Sequence, residues 1–364
     1  MTAVTVAAPV APRRVRTRPP LTQLAAPALA SAVAAIAAVD VLFRWFLPLT
    51  GSLGFWLSAY AAFLLVYAGV VALTTGSREA MKDRVATVVL ASAGLLMLTV
   101  VVLVVGFTAV RGWGALRHAG FFVHTTAETG PQDPLKSGGI YAAAVGTLEQ
   151  VLIATLVSVP LALGTALYLS ETDGRARKAV RIVVETMTAI PSILAGLFIF
   201  AIVILTFGFQ RSGLGAALAL SVEMLPVVAR ASDVVLRLVP SGLREASYAL
   251  GASRWETVKR VVLPTARAGL VTAVLLGIAR VVGETAPVLL VAGFTSELNY
   301  NPTSGPQLSL PLFVFTYVKF PIDNAITRAF GAAFTLVVIV LVLFVIARVL
   351  GNRQPGQRWL RRVR

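Results

Sequence analysis

Four charged side chains stand in stretches of this sequence that are otherwise apolar: Glu223, Arg230, Arg280 and Glu284. A charge at the middle of a bilayer-spanning helix costs about 2.5–3.5 kcal/mol on insertion scales, so such residues are paired, hydrated or functional. In helical register Glu223, Pro226, Arg230, Asp233 and Arg237 recur at steps of three and four and share one face. Gly277, Arg280, Glu284 and Pro287 do the same further along, and Glu185, Thr188 and Ser192 form a third polar file beside Pro191. Two readings stay open for the arginines and carboxylates. They neutralise each other and lock a bundle together, or they line the route of an anion, for which a guanidinium supplies paired donors that match a tetrahedral oxyanion. For Asp40 and Arg44, beside Trp45 and Phe46, snorkelling and local pairing suffice.

Other chemistry is excluded by residue type. There is no cysteine, so disulfides, thiolate metal sites and cysteine nucleophiles are absent. His118 and His124 have no metalloprotease spacing and read as loop histidines, so no metal is assigned. None of the five lysines follows a glycine, which rules out a Walker A loop in this chain. The net charge of +16 is spread over many short segments instead of one aromatic-studded face, so nucleic acid is not an expected partner.

A second constellation lies between Arg237 and Pro264, in LVPSGLREASYALGASRWETVKRVVLP. It predicts two short helices with a sharp bend. Leu243 to Leu250 are good helix formers, and Gly251 can take the left-handed conformation that ends a helix. Ser253 then caps the next helix while Glu256 reaches back to the free amide, a capping box. Pro264, lacking an amide, is expected to mark where that helix gives way.

The elements that position these residues belong in a lipid bilayer. Hydrophobic residues make up 57% of the 364, charged residues only 13%, and the mean hydropathy is +0.83. A spanning helix needs about 20 apolar residues, and eight runs are expected to serve: 25–47, 53–73, 85–110, 141–169, 179–207, 214–236, 266–294 and 327–350. The first is too long and too charged for a signal-peptide core and reads as a retained span. Basic residues assign the sides. Arg13 to Arg18, Arg78 to Arg84, Arg175 to Arg181, Arg237 to Arg267 and Arg348 to Arg364 fall on one side, and sparse charges such as Arg111, Lys136, Arg211 and Lys319 on the other. By the positive-inside rule both termini are expected in the cytoplasm of a bacterial cell, in its plasma membrane. The expected organisation is a basic tail at 1–24, two extra spans and a basic loop at 25–84, a core at 85–350 containing the loop 237–264, and a basic tail at 351–364.

The loop resembles the signature segment of ABC-importer permeases: Glu245, Ala246 and Ser247, a gap of three, Gly251, a gap of nine, then Val261, Val262, Leu263 and Pro264. Ser247 and Val261 are its departures from the usual Ala and Ile. The stretch ARVVGETAP from Ala279, with PVVAR, GGIYAAAVGTL, AIPSILAGLF and SLPLF, further resembles the PstA-type permeases of phosphate ABC importers, over roughly 85–350. That resemblance implies an all-α, polytopic type I importer fold of about six core spans, with two N-terminal spans beyond it. It implies a non-catalytic subunit that moves phosphate by alternating access. Its implied partners are a homologous second permease (PstC type), two copies of an ATPase subunit (PstB type) that hold ATP and Mg, and an extracytoplasmic phosphate-binding protein (PstS type). The ATPase would dock on the bent loop through Glu245, Ala246, Gly251, Ser253, Glu256 and Pro264. A carboxylate can accept a proton from hydrogen phosphate and repels sulfate, which has none to give. In the pathway reading, therefore, Arg230 and Arg280 attract the anion, while Glu284, with Glu223, discriminates and tunes. A permease for sulfate or molybdate, a secondary transporter or channel, and an assembly protein remain as alternatives.

Overall fold

A computed structural model describes residues 21–43, 52–75 and 78–351. The basic tails around Arg13 to Arg18 and beyond residue 351, and Arg44 with Trp45 and Phe46, lie outside the described residues. The chain forms two compact units, Met1–Leu103 and Val104–Arg364. In the first, α1 (Leu21–Val41) packs on α2 (Ser52–Thr75), followed by the start of α3 (Arg78–Leu116). Ser31, Ala35 and Val39, four apart, form the buried stripe of α1. The Tyr60 hydroxyl of α2 meets Ser92 of α3 at 2.6 Å.

The second unit carries a single-turn α4 (Gly120–Val123), then α5 (Tyr141–Glu171), α6 (Arg175–Ala189), α7 (Ser192–Ile199) and α8 (Gly213–Arg237). It continues with α9 (Ser241–Ala249), α10 (Arg254–Thr257), α11 (Leu263–Val281), α12 (Ala286–Val291), α13 (Leu310–Tyr317) and α14 (Asp323–Gly351). The central helix is α8, which touches α5, α6, α7, α11 and α12. Ala143, Ala154 and Ala162 of its partner α5 share one buried core cluster with Ala216, Leu220, Met224 and Val228. Small residues let helix backbones approach closely, which matters in lipid because association there rests on packing and not on water exclusion.

Among the described residues six helices are long and apolar enough to cross a membrane, and seven if a bent pair is counted. Of the first expected span, Ala26–Val41 is apolar helix and residues 42–43 continue it as a π turn, while 44–47 lie outside the described residues. Two expectations need correction. The fifth run is not one helix. A bend of 105° separates α6 from α7, because Pro191 cannot donate to the ladder and pushes Ile190 to an extended conformation (φ −71°, ψ 127°). Glu185 and Thr188 on α6 therefore do not share a face with Ser192 on α7. The seventh run also breaks: α11 stops at Val281, and α12 begins at Ala286 with Pro287 in its first turn. Gly283, Glu284 and Thr285 lie in the gap.

The loop between α4 and α5 is held by two side chains of α14. Arg328 of α14, fully buried, donates to the carbonyls of Gly130, Asp133, Pro134 and Ser137 at 2.8–3.3 Å. Asn324, one turn earlier, adds bonds to Gln132 and Asp133. A guanidinium among carbonyl oxygens is how a buried charge is made tolerable without a carboxylate. Arg328→Met is expected to free this loop. Trypsin should then cut at Lys136 in detergent-solubilised protein at least about tenfold faster than in the parent, since each charge-assisted bond contributes on the order of 1.5–3 kcal/mol.

Candidate functional site: a charge cluster and a bent loop

The helix break brings three of the four predicted pathway charges together. Arg280 sits one residue before the end of α11 and pairs with Glu284 in the gap, and its other amino group lies 3.9 Å from Glu223 of α8. Both carboxylates are largely buried, at 9% and 13% exposure, while the guanidinium is half exposed at 51%. The cation is thus held from behind by two anions and offers its free side outward. Neither oxygen of Glu223 has a hydrogen-bond partner, so Arg280 is the group that compensates its charge. Pro287 permits the break, since it has no N–H to return to the carbonyl of Gly283. Irregular backbone at membrane depth is tolerated where it lines a cavity or is buried in protein.

Arg230 does not join this cluster. It lies seven residues from Glu223 on α8, about 10.5 Å along the axis, is exposed, and forms no ion pair among the described residues. The polar face of α8 therefore splits in two. Its far end serves a different contact, with Asp233 between Arg237 at 2.9 Å and Arg181 of α6 at 3.7 Å.

The bent loop folds as its local residues require. α9 ends in a Schellman motif: Ala252 N–H bonds the carbonyl of Ser247, and Gly251 N–H that of Tyr248. Gly251 has φ +83°, the left-handed conformation. Ser253 Oγ accepts from Glu256 N–H at 3.3 Å, while Ser253 N–H donates to Glu256 Oε2 at 3.2 Å, so the capping box is formed. Pro264 does not end the second helix. From Arg254 to Val281 the chain is one 28-residue helix, with a π-helical stretch, Val258–Val262, just before the proline. The wider turn absorbs the missing donor and the ring, as π-bulges do. The short helix is thus α9 alone, and Pro264 belongs to the root of a span.

On α9 two faces have different work. Glu245, Ala246 and Tyr248 are exposed, with Leu250 and Trp255 beyond at 89% and 65% exposure. Arg244 and Ser247, three apart, turn inward. Ser247 meets the buried Thr257 at 2.9 Å, so the serine that departs from the usual alanine ties the two arms of the bend. Arg244 was not singled out by sequence, although its register with Ser247 marks it as inward-facing.

A polar node at the other end of α5 was also missed. Gln307, fully buried, accepts from Gln150 at 3.1 Å and donates to Glu149 at 2.5 Å and to the carbonyl of Asn299 at 3.1 Å. Thr147 Oγ accepts from Leu310 N–H at 2.7 Å. The signal was available: Thr147 and Gln150 interrupt a stripe of small apolar residues, where a polar side chain needs a partner. Nearby the hydroxyls of Tyr141 and Tyr300 meet at 3.1 Å, and this bond raises the Tyr300 pKa above its ordinary value. Among the described residues no three His, Asp or Glu side chains are grouped so as to hold a metal.

Residues 158–356, which include both arginines and the bent loop, match the family described as binding-protein-dependent transport system inner membrane component. The phosphate transport system permease protein PstA 1 of Mycobacterium tuberculosis (strain CDC 1551 / Oshkosh) is 42% identical over 267 residues, 73% of this chain and 87% of its own. The phosphate transport system permease protein PstA of Mycobacterium leprae (strain TN) is 39% identical over 264 residues, 72% and 86% of the two chains. Among solved structures, a bacterial ABC transporter involved in the import of the acidic polysaccharide alginate superposes with a TM-score of 0.53 at 14% identity, over 76% of this chain and 99% of that one. That likeness concerns the fold. Together with a multi-pass helical bundle built around α8, these matches have one consequence: the chain belongs to the family of binding-protein-dependent transport system inner membrane components, as a PstA-type, non-catalytic permease subunit of an ATP-binding-cassette importer.

Proposed function

We propose that this subunit carries inorganic phosphate into the cytoplasm by alternating access, driven by ATP hydrolysis on separate chains. The observation that carries the proposal is Arg280: a half-exposed guanidinium at a helix break, backed by Glu223 and Glu284. Such a group binds an oxyanion through paired donors. The flanking carboxylates keep the anion from being held too tightly to leave, and they accept a hydrogen bond from the proton of hydrogen phosphate. The relatives named as phosphate permeases narrow the oxyanion. Arg230, exposed and without an ion pair among the described residues, is assigned a second station on the same route.

In this reading the basic side of the chain, with both termini and the loop 237–264, is cytoplasmic. The exposed face of α9, with Glu245 and Ala246, docks on an ATPase subunit of the PstB type, two copies of which hold ATP and Mg. Gly251, Ser253 and Glu256 set the angle of the bend, and Pro264 the root of the span that follows. A PstC-type permease completes the pathway, and a PstS-type binding protein delivers phosphate at the opposite face. Residues 85–350 form the transporting core. The spans within 25–84 and the basic tails at 1–24 and 351–364 are accessory.

The test is uptake of labelled phosphate by cells that depend on this chain, with unlabelled sulfate, molybdate or phosphate as competitors. Unlabelled phosphate alone should compete. Competition by sulfate or molybdate at similar concentrations would reassign the substrate, and uptake by the purified chain in liposomes without any ATPase would overturn the importer mechanism.

A further inference from the structure

We infer that Arg244 is the positioning residue through which displacement of α9 reaches the helices that hold the Arg280 cluster. The inference rests on the proposed docking of α9 on an ATPase. Arg244 lies on the inner face of α9 and reaches three acceptors, one on α8, one on α5 and one in the linker between α8 and α9. It donates to the carbonyl of Val239 at 2.7 Å, to the carbonyl of Leu236 at 3.0 Å, and to Glu171 Oε1 at 3.2 Å. Leu236 lies in the last turn of α8, and Glu171 is the last residue of α5.

Each contact answers a local need. The last carbonyls of α8 have no partner within the helix, and a cation there also suits the negative end of the helix dipole. Glu171 sits at the negative end of α5, where a carboxylate is disfavoured unless a cation faces it. At 18% and 19% exposure the two side chains are removed from most of the water that would screen the pair. One planar guanidinium thus joins the ends of α5 and α8, a geometry that lysine, with a single nitrogen, does not reproduce.

The second inner-face residue, Ser247, holds Thr257 at the root of the helix that becomes α11. So α9 grips α5 and α8 through Arg244, and α11 through Ser247. Glu223 is on α8 and Arg280 on α11, 3.9 Å apart. A tilt of α9 therefore moves the carboxylate and the guanidinium relative to each other, and the two grips are the points where that motion enters. The separations of 73 residues for Arg244 with Glu171 and 10 for Ser247 with Thr257 show why only the first needs the tertiary fold.

The experiment uses the complete importer, reconstituted in liposomes with its ATPase, second permease and binding protein, and reads phosphate transported per ATP hydrolysed. Arg244→Gln is expected to lower that ratio about tenfold, a size usual for residues that carry coupling between sites, while the ATPase still co-purifies. Glu171→Gln, which keeps an acceptor but not the charge, is expected to lower it less, and the double variant no further than Arg244→Gln alone. If Arg244 were only a structural brace, complex yield or melting temperature would fall with the ratio unchanged, and that result overturns the inference, as do additive losses in the double variant. Should Arg244→Gln fail to assemble, an unchanged ratio in Glu171→Gln decides against it. Absence of any co-purifying ATPase with the parent chain would instead remove the docking of α9 itself.

Discussion

Cells carrying Arg280→Gln are expected to take up phosphate at least about tenfold more slowly, because a hydrogen bond to a charged group contributes on the order of 1.5–3 kcal/mol and tenfold is 1.4 kcal/mol. The substitution also removes the counter-charge of two carboxylates. Glu223, 9% exposed with no hydrogen bond to either oxygen, is left without compensation, and an uncompensated buried charge destabilises the fold. The single variant therefore confounds transport with folding. The double variant Glu223→Gln/Arg280→Gln separates them, since it also removes the charge of Glu223, the more buried of the two carboxylates that Arg280 compensates. Membrane level is expected to recover in the double variant while uptake stays low. Recovery of uptake as well would mean that Arg280 serves only to lock α8 to α11. Arg230→Gln involves no such confusion, because Arg230 holds no carboxylate among the described residues, and normal uptake in that variant removes it from the route.

Gly251→Val has the second large effect, by a different mechanism. At φ +83° a β-branched residue is strained by about 1–3 kcal/mol, yet a Cβ there meets nothing within 4 Å. The cost is borne by the backbone of the bend and not by the core. α9 is expected to leave its angle while the bundle stays folded, so that uptake falls at least about tenfold with normal membrane level and ATPase activity no longer answers the binding protein. Asn enters the left-handed region more readily than Ala, and Ala more readily than Val. The order of uptake is therefore Gly, Asn, Ala, Val. A valine variant that transports as well as the parent contradicts the role given to the bend.

Much of this molecule was legible before its fold. Apolar runs of about 20 residues are spans because the bilayer leaves helices few alternatives. The caps at Gly251 and Ser253 are contacts among residues at most five positions apart, so their pattern in the sequence is already their geometry. The resemblance in the loop held in spacing, and its Ser247 departure proved to be a tie to Thr257. Pro264 misled, because a proline that follows a π-helical turn sits inside a continuous helix, and nothing in residue type distinguishes that from a stop.

Residue types and spacing, then, determined by themselves that this chain is a helical membrane protein, where its charges fall along each helix, and how its loop turns. Only the tertiary structure decided where two spans break, that Arg280 bridges Glu223 and Glu284 while Arg230 stands apart, and that Arg244 and Arg328 are hubs. The physical reason is reach. A broken span has the same composition as an intact one, and whether its freed carbonyls and buried charges are tolerated depends on neighbours 57, 73 or nearly 200 residues away along the chain.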